Sequence, residues 1–94
     1  MSLHITEKGI AYGLHARFGK DTIPLSEICE EYFGINPKTA QQKARAYDLP
    51  LPVFRMDESQ RAPYLVMVND LAEFIFKQQE IARGEWLTAQ GRNH

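Results

Sequence analysis

SEICEEYFGINPKTAQQKARAY, Ser26 to Tyr47, reads as two short helices separated by a three-residue break. Ser26 is placed to cap the first helix, its hydroxyl accepting from a free N–H of the first turn, and Glu27 sits favourably at the positive end of the helix dipole. Ile28, Cys29, Tyr32 and Phe33 fall on one face while Glu27, Glu30 and Glu31 fall on the other, so this helix is amphipathic and acidic outside. Gly34 ends it, being free to adopt positive φ. Asn36-Pro37 starts the second helix: asparagine is among the best N-caps, and proline at the first helical position loses no hydrogen bond. The break Gly34-Ile35-Asn36 has the length of a helix-turn-helix connection. The second helix is expected over Pro37 to Tyr47, with Ala40, Ala44 and Tyr47 spaced to face inward and Lys38, Thr39, Gln41, Gln42 and Arg45 on or near the outside.

Downstream, Leu49-Pro50-Leu51-Pro52 is an extended connector that cannot be helical. Val53 to Met56 and Tyr64 to Val68 read as two strands of a β-hairpin with a polar tip at Asp57 to Ala62. Asn69 is placed to cap a last helix from Asp70, with Leu71, Phe74, Ile75, Gln78 and Ala82 on one stripe and periodicity as far as Trp86. Gly91 to His94 is expected to fray. Upstream, Ile10, Leu14 and Phe18 space a short helix within Ile5 to Phe18, and Gly19 to Thr22 reads as a turn before Pro24. The sum is one α+β domain spanning residues 1–94 with its core in 22–88. Its expected fold is a small winged helix-turn-helix of the excisionase type, with an N-terminal helix, a β-hairpin wing and a long C-terminal helix.

Composition narrows the function. Ninety-four residues, 44% hydrophobic and 24% charged, suit one modest core. No apolar run approaches the roughly 20 residues of a membrane span, and the N-terminus carries no basic segment followed by an apolar one, so a cytoplasmic protein without membrane contact is expected. The net charge is −1, but residues 35–68 carry five basic and three acidic side chains while both outer thirds are net acidic. Within that third, Ile35 to Tyr47 holds Lys38, Lys43 and Arg45 with no acid, the asymmetry that binding to phosphate requires. Cys29 is the only cysteine, and His4, His15 and His94 lie far apart without clustered carboxylates, which is not metal-ligand spacing. Ser26, Ser59 and Cys29 have no evident base partners, and no phosphate-binding glycine loop is present, so neither an enzyme nor a cofactor is indicated.

The candidate contacts with double-stranded DNA follow from side-chain chemistry. Gln41 and Gln42 suit adenine, Lys38, Lys43 and Arg45 suit guanine or phosphate, and Thr39 suits either base or backbone. On the hairpin, Ser59, Gln60 and Arg61 offer polar and cationic groups at the tip with Arg55 behind them, as a wing on phosphate or in the minor groove requires. Asp57 and Glu58 oppose that role. Because one small module buries only about 600 to 1,000 Å² on DNA, a homo-oligomer is expected. Phe76 and Trp86 exceed what one inward stripe needs and are candidates for the core or for contact with a second subunit.

Ile23-Pro24-Leu25, Glu31-Tyr32-Phe33-Gly34, Leu49-Pro50-Leu51-Pro52-Val53-Phe54-Arg55, Ser59-Gln60-Arg61-Ala62-Pro63 and Asp70-Leu71-Ala72 occur in that order. Together they resemble the pyocin activator (PrtN) family of bacterial and phage-associated transcriptional activators, over about Ile23 to Trp86. The resemblance implies promoter binding, activation of bacteriocin or prophage-type genes and, as a partner, RNA polymerase. Two other readings stay open at this stage. The layout also resembles phage excisionases, architectural proteins that bend DNA and assemble side by side. An adaptor that binds another protein through its hairpin and aromatic C-terminal helix, with no DNA involved, is the third.

Overall fold

A computed structural model describes residues 6–92 as four helices and a two-stranded antiparallel sheet. α1 (Glu7–Phe18) is capped by the Thr6 hydroxyl, which accepts from the Gly9 N–H at 3.0 Å, and is closed by Gly19 at φ 72°. The expected start of this helix at Ile5 lies outside the described residues. β1 (Thr22–Pro24) follows, then α2 (Leu25–Phe33), α3 (Pro37–Arg45), β2 (Leu65–Met67) and α4 (Val68–Arg92).

The sheet differs from the expected hairpin. β2 pairs with β1 in the register Thr22 with Met67, Ile23 with Val66 and Pro24 with Leu65, while the segment expected as its partner, Val53 to Met56, contributes one bridge, Phe54 with Leu65. That bridge is well made, with Phe54 N–H on the Leu65 carbonyl at 3.0 Å and Leu65 N–H on the Phe54 carbonyl at 2.7 Å. β2 is therefore held on both edges. Three residues are too few to show an alternating pattern, and Pro24 sits where a proline is tolerated, at the end of an edge strand, so β1 leaves little trace in the sequence.

This pairing also moves the start of α2. The helix begins at Leu25 rather than after Ser26, with no side-chain cap, because the Leu25 N–H is already satisfied by the Tyr64 carbonyl at 2.8 Å across the sheet. Its far end and the next start agree with the sequence. Gly34 adopts φ 67°, and the Asn36 side chain accepts from the Thr39 N–H at 2.8 Å with Pro37 behind it.

α3 stops two residues short of the expected Tyr47. Asp48 N–H donates to the Lys43 carbonyl at 2.8 Å and Tyr47 N–H to the Ala44 carbonyl at 3.2 Å, closing the helix in a Schellman turn. Tyr47 occupies the left-handed position of that turn at φ 54° and is 94% exposed, so it is not the inward residue that helical spacing suggested. A non-glycine residue there costs about 1 to 2 kcal/mol, and glycine regains about 0.5 to 1 kcal/mol of that as lost chain entropy. Tyr47→Gly is thus expected to raise stability by up to about 1 kcal/mol, read as an increased urea midpoint.

The core is apolar throughout. Ile23, Ile28, Cys29, Val66, Val68, Leu71 and Ala72 are fully or almost fully enclosed, with Leu14, Leu25, Ala40, Ala44 and Leu51 close behind. α1 lies on α4, and α2 packs on α3 through the small Ala40 and Ala44. Phe33 and Phe74 meet edge to face with centroids 5.4 Å apart, tying α2 to α4. α4 starts at Val68, ahead of the expected Asn69 cap, because the Val68 N–H donates to the Asp21 carbonyl at 2.8 Å. Its inward stripe is shorter than expected, since Gln78 and Ala82 are exposed. The helix itself runs on through Gly91 to Arg92, where fraying was expected; Asn93 and His94 lie outside the described residues.

Candidate nucleic-acid interface

α3 presents its polar side chains on one face. Lys38, Gln41, Gln42 and Arg45 follow the spacing i, i+3, i+4, i+7 and all four are exposed, while Ala40 and Ala44 on the opposite face are buried. Thr39 and Lys43 lie on the flanks, half-buried. The Thr39 backbone is engaged in the N-cap, and the Lys43 ammonium sits 3.3 Å from an Asp48 carboxylate oxygen, so Lys43 is partly neutralised, whereas Lys38 and Arg45 have no ion-pair partner among the described residues. The alanines let α3 lie close on α2 without lifting the stripe out of the solvent.

The second set of candidate residues is held together by its own hydrogen bonds. Asp57 accepts from the Ser59 N–H, the Ser59 hydroxyl accepts from the Arg61 N–H at 3.2 Å, and the Ser59 carbonyl accepts from Ala62 N–H at 3.0 Å and from the Arg55 guanidinium at 3.3 Å. Ser59 thus shapes the tip. Arg55 is further braced by its guanidinium lying 5.0 Å from the centre of the Tyr64 ring. Gln60 and Arg61 are left with exposed side chains. Among the described residues no hydrogen bond or ion pair joins the α3 set to the tip set. A groove of about 400 Å³ lies beside the C-terminal end of α3, lined by Ala44, Tyr47, Leu49, Pro50, Leu51, Pro52 and Val53.

One charged cluster is not apparent from the sequence. Arg17 of α1 forks onto both carboxylate oxygens of Glu31 in α2 and donates to the Tyr32 hydroxyl at 2.9 Å, with its guanidinium 4.8 Å from the Phe18 ring centre. A fourteen-residue separation hides this pairing from any local pattern. It occupies one of the three α2 carboxylates; Glu27 and Glu30 remain exposed without an ion-pair partner among the described residues. The Arg17 hydrogen bonds hold the Glu31 carboxyl below the usual carboxylate range. Because the folded pKa lies below the unfolded one, this pair stabilises the fold above the normal glutamate range, and that contribution fades as pH falls through the lowered value. Glu31→Gln is accordingly expected to lower the urea midpoint near neutral pH and to leave it unchanged in acid, where wild-type Glu31 is itself protonated.

No group of three or more His, Cys, Asp or Glu side chains comes together among the described residues, and no helix there is long and apolar enough to cross a membrane. Cys29 is buried. Comparison with known proteins bears on identity. Searches of curated proteins and of solved structures return no match. A family model described as pyocin activator protein PrtN matches residues 11–82, about three quarters of the chain. The match takes in most of α1, upstream of the first motif at Ile23, and ends within α4, past the last motif at Asp70 to Ala72 and short of Trp86. The chain belongs to the pyocin activator protein PrtN family, a family of regulators rather than enzymes.

Proposed function

We propose that this chain is a winged helix-turn-helix protein that binds promoter DNA and activates pyocin-type or prophage-type genes, with α2 and α3 as the helix pair and the Phe54 to Leu65 segment as the wing. The observation that carries the reading is the α3 stripe of Lys38, Gln41, Gln42 and Arg45. Two glutamines flanked by two cations on one exposed, acid-free face supply bidentate partners for adenine and guanine edges at the spacing with which a helix meets the major groove. Thr39 and Lys43, on the flanks, serve the backbone. Gln60 and Arg61 reach phosphate or the minor groove from a tip whose shape Ser59 and the braced Arg55 maintain. The near-neutral net charge is compatible with this role because exposed carboxylates on α2 lie off the α3 face.

Footprinting on genomic DNA at physiological salt tests the reading. A protected site upstream of a bacteriocin or prophage-type gene, with transcription from that promoter raised in a purified polymerase system, is the expected result. Bending of the site without stimulation of transcription would instead indicate an architectural role like that of the excisionases. Affinity for the site no greater than for unrelated DNA would exclude sequence-specific binding. Specificity at this module size calls for two or more copies on the operator.

A further inference from the structure

We propose that the distal half of α4 is the surface through which two copies of this chain pair, lying antiparallel with their ends overlapped. The proposal names a contact surface for the oligomer invoked above, but it rests on observations independent of DNA binding.

α4 is 25 residues long, and every residue from 80 to 92 is exposed, so roughly 18 Å of helix projects beyond the domain. This projecting part extends a helix already docked on the domain, so it needs no nucleus of its own, but propagation alone adds little stability per residue. It also contains Gly84 and Gly91, each costing about 1 kcal/mol relative to alanine. Among the described residues it has no ion pair of its own, since the one pair on α4, Lys77 with Glu73, lies upstream. It nevertheless carries Trp86 at 61% exposure, with Ile81 and Leu87, each 55% exposed, on its other faces.

The spacing of the apolar and small residues identifies the face. Val68, Ala72, Ile75, Ala82, Trp86 and Ala89, with the polar Gln79 at the one remaining seam position, recur at alternating steps of four and three, the seam of a heptad repeat. Val68 and Ala72 are buried in the domain, Ile75 and Gln79 are half-covered, and Ala82, Trp86 and Ala89 continue the seam into solvent. The seam therefore outruns its intramolecular partner.

Size and charge select a second copy, and its direction. In a parallel pair Trp86 would face Trp86, while the small alanines would face one another across a gap set by two indoles. With the helices antiparallel about a two-fold axis between Leu87 and Thr88, Trp86 of each copy lies against Ala89 of the other. The flanking positions then place Glu85 of each copy beside Arg92 of the other, so every contact occurs twice. The segment from 80 to 92 contains two glutamates and two arginines, and it is net neutral and self-complementary.

Trp86 is the only tryptophan, so its emission reports on this surface directly. In sedimentation of the full-length protein without DNA, the expected result is a concentration-dependent doubling of the 10.8 kDa monomer mass, with a parallel blue shift of Trp86 emission. Glu85→Arg should abolish both, and adding Arg92→Glu to it should restore both. The seam and flanks lie outside the core, so circular dichroism should show each variant's domain folded. A monomer at all concentrations with solvent-like Trp86 emission would overturn the proposal. So would a dimer that persists in Trp86→Ala, or a charge-swapped double variant that stays monomeric.

Discussion

Arg45→Ala is expected to weaken binding to the footprinted operator by about 1 to 3 kcal/mol if Arg45 reads a base edge, or to reduce the salt dependence by about one ion if it meets phosphate. The prediction separates the two faces of α3. Arg45, Lys38, Gln41 and Gln42 share the exposed stripe, and Gln41→Ala should relax discrimination at one base pair with little change in the salt slope. Lys43 should matter less, because its ammonium is already beside Asp48. Equilibrium anisotropy titrations at several salt concentrations, with each protein against cognate and mismatched duplexes, provide the measurement. Unchanged affinity in Arg45→Ala and Gln41→Ala alike would remove α3 from the interface and leave the proposed docking without its main element.

The second large effect is on stability. Leu71 is fully buried where α4 joins the sheet and α1, and truncating such a leucine to alanine removes about 2 to 5 kcal/mol. A domain of this size has a total stability of about 5 to 14 kcal/mol, so Leu71→Ala should remove a large share of it and lower the urea midpoint in proportion. Urea denaturation followed by circular dichroism reads this out. Ile81→Ala, on the projecting part of the same helix, is the matched control and should shift stability by about 0.5 kcal/mol or less. Equal losses in the two variants would mean that α4 is covered along its whole length rather than only over its first half.

Local chemistry made the centre of the molecule legible. Gly34 and Asn36-Pro37 specify the break between α2 and α3 because each solves a problem confined to a few residues: a left-handed C-terminus, a free N–H and a proline that needs none. The α3 stripe is legible for the same reason, since helical spacing alone determines which residues share a face. What the sequence concealed depends on distant partners. β1 is a strand only because β2 lies beside it, and the Leu25 N–H needs no serine cap because Tyr64 supplies a carbonyl. Arg17 finds Glu31 across fourteen residues. Tyr47 was misplaced by a small difference at a helix end, where two residues fewer turned an inward position into an exposed one. Only the end of α4 escaped, the run past Trp86 through Gly91 to Arg92, because those residues are all exposed and no packing against the domain marks them in the sequence.

The junction between sheet and last helix has a mechanical consequence. β2 ends at Met67 and α4 begins at Val68 with no residue between them, while Phe54 clasps the strand from the hairpin side. Strand and helix are therefore one continuous run of chain, and because the first half of α4 is fixed on α1 and Phe33, the sheet and that packing together set the direction in which the exposed second half points. Over a helix of about 37 Å, a tilt of about 10° at the strand sweeps the far end by about 6 Å. The packing of the first turns of α4 thus fixes, with magnification, where Arg92 lies.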